Sequence, residues 1–222
     1  MAHPSTRQDI YTRVTTRILA ELEKGVRPWI KPWSVEHVIP FMKPYTVFNV
    51  EQIEGLPAHF YAQPVNPLPL SDRIAHADRF VTATGAAIHH AGNQAYYAPS
   101  RDTIQLPPFE AFKDKESYYS TALHELTHWT RHETRLARDL GRHRFGDEGY
   151  AREELVAELG SAFLCADLGI TPDIREDHAA YLGHWLKILQ DDTRAIFSAA
   201  AHAQRAADYL QQLQPPSAEQ AA

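Results

Sequence analysis

One cysteine in 222 residues means that no disulfide can close within the chain. That usage suits a reducing compartment, and a cytoplasmic location is expected. Cys165 itself sits in an apolar run and reads as core. Long hydrophobic runs are missing too. The longest small-residue stretch, 195–207, is broken by His202, Gln204 and Arg205, which excludes a membrane span there. The first residues, Pro4 to Gln8, are polar and carry no signal-peptide pattern. There is no excess of positive charge: the net charge of −6 argues against nucleic-acid binding through a global positive field. The imbalance is local, since residues 1–44 carry a balance of +3 and the remainder −9. No internal repeat and no long low-complexity segment occurs. A hydrophobic content of 44% supports one large packed domain, or one domain with a short appendage.

What is present centres on His124-Glu125-Leu126-Thr127-His128. Read as a helix, this places His124 and His128 at i and i+4 on one face, where both imidazoles reach one metal ion. Glu125 stands beside them as a general base. This is the H-E-x-x-H pattern of zinc peptidases: two nitrogen ligands plus a base. With 13 histidines in the chain, chance supplies such a pentapeptide in about one sequence in twenty, so the context has to decide. The run from Ser117 to Arg135 has no glycine or proline, and Ala122, Leu123 and Leu126 supply apolar positions, which predicts a helix.

A catalytic zinc site takes a third protein ligand and leaves a position for water. Glu153, Glu154 and Glu158 lie downstream on a second predicted helix, with Leu155, Leu159, Ala162 and Phe163 on its buried side. Glu154 and Glu158 are again i and i+4, so one can bind the ion while the other accepts a ring N–H from a ligating histidine. The pair resembles peptidases with a glutamate third ligand, which carry Glu-x-x-x-Asp/Glu on the helix after H-E-x-x-H. That resemblance implies Glu154 as ligand and Glu158 as the residue orienting His124. The all-histidine pattern H-E-x-x-H-x-x-G-x-x-H is excluded, because Arg131 and Thr134 occupy its last two positions. His132 continues the series but diverges from a tetrahedral site along a straight helix. His143 and Asp147 lie between the helices and rank below Glu154, as helix caps or cleft lining. Tyr150, His143 and Arg152 are candidate donors to a developing oxyanion, and Tyr150 joins Glu125 in the expected catalytic set.

From the N-terminus, Asp9 to Lys24 reads as an amphipathic helix, with Ile10, Val14, Ile18 and Leu22 near one stripe and Gly25 as its stop. The segment Arg27-Pro28-Trp29-Ile30-Lys31-Pro32-Trp33 alternates tryptophans with cations. Arg27, Trp29, Lys31 and Trp33 can stack bases and neutralise phosphates of single-stranded nucleic acid, or the tryptophans can pack on the preceding helix. Residues 45–50 read as extended, Asp72 to Thr84 as a helix capped by Ser71 or Asp72, and Ala87–His90, Gln94–Ala98 and Thr103–Leu106 as short strands. The last strand is expected to flank the cleft and accept an extended peptide along its edge. His89 and His90 in this sheet read as structural. Two helices, Asp177–Gln190 and Asp192–Leu213, close the chain, with Asp173 or Asp177 and Asp191 or Asp192 as caps. His184, Trp185 and His202 read as packing residues on their apolar faces.

Four stretches carry a family likeness: Asp9 to Trp33 with its Gly-x-x-Pro-Trp-x-x-Pro-Trp run, Tyr45 to Gln52, Ser120 to Thr130, and Tyr150 to Glu158. Together they resemble the ArdC-type antirestriction proteins of conjugative plasmids and phages. The resemblance implies a cytoplasmic, zinc-dependent hydrolase of α+β class. Its zincin-like metallopeptidase fold is mainly helical, with a small antiparallel or mixed sheet packed on the H-E-x-x-H helix. It implies His124, His128 and Glu154 around Zn2+, with Mn2+ or Co2+ also accommodated. It implies two partners, single-stranded DNA and a protein or peptide substrate of the restriction machinery. The alternative it leaves is a non-catalytic protein that shields DNA, with a structural or vestigial metal site. Only residues 34–44 separate the Pro-Trp run from the extended stretch, where the family has a longer sheet-forming segment. The expected organisation is therefore a shortened single-stranded-DNA-binding remnant at 1–44, a metallopeptidase domain at 45–214 and a disordered tail at 215–222.

Overall fold

A computed structural model of the chain describes residues 9–24, 70–141, 148–171 and 179–216. Asp9 opens the first helix, α1 (Ile10–Leu22), by accepting the Tyr11 backbone N–H on its carboxylate. Thr15, not Val14, is buried beside Leu22, because its hydroxyl donates to the Thr193 carbonyl at 2.7 Å and leaves no polar group unsatisfied. Helix α2 (Leu70–Ala83) starts ahead of its expected caps, so Ser71 and Asp72 lie inside its first turn. Gly85 follows it at φ +68°. The segments 25–33 and 45–50 and the tail from 217 lie outside the described residues.

Three short strands, β1 (Ala87–His90), β2 (Tyr96–Ala98) and β3 (Thr103–Leu106), form a mixed sheet in the order β1-β3-β2. β1 runs parallel to β3 and β2 antiparallel to it. The strand expected at the edge, β3, is therefore central. Both of its backbone sides are occupied, and among the described residues strand addition is left to β1 or β2. Ile104 and Leu106 alternate with half-buried Thr103 and Gln105 and pack into the core beneath α3.

Helix α3 (Lys115–Trp129) begins at Asp114, whose carboxylate accepts the Ser117 N–H at 2.7 Å. It ends six residues before Arg135 although neither glycine nor proline intervenes. Side chains stop it: Thr130 Oγ1 donates to the Thr127 carbonyl at 2.7 Å, and Arg135 Nε to the Trp129 carbonyl at 2.7 Å. Helix α4 (Glu148–Asp167) packs against α3, α5 (Ala179–Asp191) and α6 (Ala195–Gln212). From Glu153 to Ser161 every residue of α4 is buried, so this is a central helix and not the one-sided helix its apolar pattern suggested. α6 starts from Arg194 without a side-chain cap, while Asp192 accepts the Arg194 N–H in the turn before it. No helix among the described residues is long and apolar enough to cross a membrane.

Candidate metal centre

α3 and α4 approach closely through small residues. A Cβ on Gly160 would stand 2.5 Å from Thr127 Cγ2, and Ser161 Oγ donates to the Ser120 carbonyl at 2.9 Å. This contact sets the histidine face of α3 against the carboxylates of α4. Both imidazoles turn Nε2 towards one carboxylate: His128 Nε2 lies 3.4 Å from Glu154 Oε1, and His124 Nε2 lies 3.6 Å from Glu154 Oε2. The two rings are 4.9 Å apart and 77° from coplanar. One donor atom from each of His124, His128 and Glu154 lies within 4.8 Å of the others.

These separations are longer than a direct hydrogen bond of about 2.7–3.2 Å. The 3.4 Å separation falls within, and the 3.6 Å one just beyond, the roughly 3.3–3.5 Å expected between donors around a tetrahedral ion with bonds of about 2.0–2.1 Å. Two imidazoles and one carboxylate fit a divalent cation, and the donor types alone do not separate Zn2+ from Mn2+ or Co2+.

The remaining nitrogen of each ring also faces a carboxylate. Glu158 Oε2 stands 3.8 Å from His124 Nδ1, and Glu153 Oε1 stands 3.2 Å from His128 Nδ1. Arg138 grips Glu153 from behind, Nε to Oε2 at 2.9 Å and Nη2 to Oε1 at 2.7 Å. Burial pushes the Glu153 carboxyl up, but the Arg138 and His128 hydrogen bonds outweigh it and bring it down to about 2. Burial opposes ionisation of Glu154 as well, and the charges of His128 and His124 hold it well below the usual carboxylate range. Burial pushes His128 down, yet Glu154 and Glu153 together push it up to about 10.

Glu125 is buried on α3 next to His124. Tyr150 is half-buried on α4, one turn before Glu154 and on the same face. Arg152 lies two residues from Glu154, hence on the other side of α4, and lines a small cavity with Leu140, Ile188 and His202. His132 pairs with Thr134 in the turn beyond α3, away from the cluster. His90 bonds Tyr118 through Nε2 at 2.8 Å, the structural role expected of it. His143 and Asp147 lie outside the described residues. Sequence reasoning missed the role of Glu153, although two ligating histidines call for two outer acceptors and three glutamates were at hand. It missed Arg138 altogether, since nothing in its neighbours marks it.

Residues 75–202 match the zincin-like metallopeptidase family model, and residues 8–65 match that of the N-terminal domain of anti-restriction factor ArdC. The protein y4eC of Sinorhizobium fredii (strain NBRC 101917 / NGR234) is 46% identical over 171 residues, 77% of this chain and 54% of that protein. A DNA primase TraC of Escherichia coli is 48% identical over 168 residues, 74% of this chain and 11% of that protein. The chain thus spans about half of one curated relative and about a tenth of the other. Crystal structures of the antirestriction ArdC protein from the R388 plasmid, metal-free and Mn(II)-bound, are 34% identical with a TM-score of 0.75, covering 93% of this chain and 98% of theirs. Fold and helix pair thus define a zincin-like metallopeptidase domain. Within that class, the chain belongs to the ArdC family of antirestriction proteins.

Proposed function

We propose that the chain is a divalent-metal-dependent peptidase acting in antirestriction, with His124, His128 and Glu154 as the ligands. The observation that carries this reading is the convergence at ligand spacing of His124 and His128, on the helix that also bears Glu125, with Glu154 of α4. An ion held there, Zn2+ or in its place Mn2+ or Co2+, supplies Lewis-acid polarisation of a peptide carbonyl and acidifies water. Glu125 takes the proton of the attacking water on its carboxylate and delivers it to the departing amine. The Tyr150 phenol donates a hydrogen bond to the oxyanion that develops on the carbonyl. Glu158, with Oε2 3.8 Å from His124 Nδ1, is the carboxylate that orients that ring. The substrate is a protein of the restriction machinery, held in extended form along β1 or β2. A Mn(II)-bound relative supports the choice of a divalent ion.

In this proposal residues 45–214 carry hydrolysis, and residues 1–44 hold single-stranded DNA through Arg27, Trp29, Lys31 and Trp33. The match of residues 8–65 to the ArdC N-terminal domain also favours a second reading, a DNA-shielding protein that needs no hydrolysis. Glu125→Ala separates the two. The variant should keep its metal and lose protection of incoming DNA in cells. Full protection by a metal-loaded Glu125→Ala protein would leave DNA shielding as the function.

A further inference from the structure

Arg138 sits in the turn beyond α3 and is only 6% exposed. Besides its two bonds to Glu153, its Nη2 donates to the Thr127 carbonyl at 2.9 Å and its Nη1 to Thr130 Oγ1 at 3.0 Å. Thr127 lies on α3 just before His128, and Thr130 caps the end of that helix two residues after it. The oxygen that receives Arg138 Nη2, Glu153 Oε1, is also the one facing His128 Nδ1. Ring, carboxylate, guanidinium and helix end therefore form a closed circuit of hydrogen bonds on the side of His128 away from Glu154. We infer that Arg138 is a positioning residue of the metal centre, clamping Glu153 so that His128 keeps its Nε2 turned towards the ion.

The inference rests on the metal-site reading above. Its physical basis is the acceptor. A glutamate has three side-chain torsions, and one left unclamped beside an imidazole can leave Nδ1 or swing round to compete for the cation. The fork of the guanidinium fixes both carboxylate oxygens at once and still reaches the helix terminus. A lysine, with a single ammonium, cannot satisfy those four acceptors in the same directions. The Arg138 pair also compensates a buried negative charge next to the ligands, so a cation in the cluster meets a defined carboxylate count.

Co2+ binding to the full chain tests this, read by competition with a chelator and by the visible absorption of the bound ion. Arg138→Met and Glu153→Met should each weaken Co2+ binding by about 10–100-fold and alter the absorption band. Arg138→Lys should fall between parent and Arg138→Met. The double variant Arg138→Met/Glu153→Met should be no worse than the weaker single, because both act through one acceptor. Should Arg138→Met fail to fold, the double variant carries the test, since removing both charges leaves none buried alone. Parent-like affinity and absorption in a folded Arg138→Met or double variant would overturn the inference, as would losses that multiply in the double. Failure of the metal-site reading looks different: the parent would bind no Co2+, or His128→Ala would bind as well as the parent.

Discussion

His128 lies between two carboxylates, and a ligand nitrogen must be free of its proton before it can bind a metal. Burial disfavours the imidazolium, but Glu154 and Glu153 raise it to about 10, so the metal-free protein carries that proton at neutral pH. Metal binding must displace it. Calorimetry in buffers of different ionisation enthalpy should therefore show about one proton released per ion at pH 7–8, with affinity rising up to about tenfold per pH unit. Stability of the metal-free protein responds in the opposite sense. A raised histidine value stabilises fully below its unfolded value of about 6.5, and that stabilisation is lost as pH rises towards 10. Thermal melts with chelator present should fall across that window, and added metal should flatten the fall. At the opposite ligand, Glu154→Ala should abolish stoichiometric binding, measured by metal analysis after gel filtration. Stoichiometric metal retained in that variant would refute the ligand assignment.

At the scale of elements, the site depends on how near α3 comes to α4. Gly160 permits that approach, since a Cβ there meets three Thr127 side-chain atoms, at 2.5, 2.8 and 3.2 Å. Thr127 cannot swing away freely, because its Oγ1 donates to the Leu123 carbonyl at 2.8 Å. Gly160→Ala gains about 1 kcal/mol of helix propensity and costs about 1–3 kcal/mol in overpacking. Net destabilisation in urea is expected, with weaker metal binding as α4 shifts its carboxylates. Stability equal to or above the parent would mean that the helices part without cost. The helix pair itself was legible in the sequence, because H-E-x-x-H and Glu154/Glu158 are local patterns with a 3.6-residue period. The end of α3 was not, because its stop is made by side-chain hydrogen bonds, from Thr130 and Arg135 back to the last turn, that no helix-breaking residue announces. The central place of β3 was hidden because strand order is a matter of partners, and a strand of three or four residues reads alike whether at the edge or inside. Asp102, at φ +50° in the turn between β2 and β3, shows the same limit. It pairs with Arg135, which also stacks 3.8 Å over Trp129, and so ties that turn to the end of α3.

For the molecule as a whole, charge divides the chain more sharply than any composition average conveys. The N-terminal 44 residues are net positive within a chain of net charge −6, so an attraction for polyanions has to be local and short in range. Arg27, Trp29, Lys31 and Trp33 lie outside the described residues. Two ring faces and two cations can hold a few nucleotides. Trp29→Ala and Trp33→Ala should each cost about 1–3 kcal/mol in affinity for single-stranded oligonucleotides, followed by fluorescence titration. Replacing Arg27 and Lys31 by glutamine should lower the slope of log affinity against log salt by about 0.7 for each phosphate that goes unneutralised. The acidic metallopeptidase half repels the same ligand, so chelating the metal should leave oligonucleotide affinity within about twofold of the parent, screened as it is beyond about 10 Å at 0.1 M salt. If chelation instead abolished DNA binding, the strand would have to cross the metal cleft itself, and the two halves of the chain would share one ligand surface.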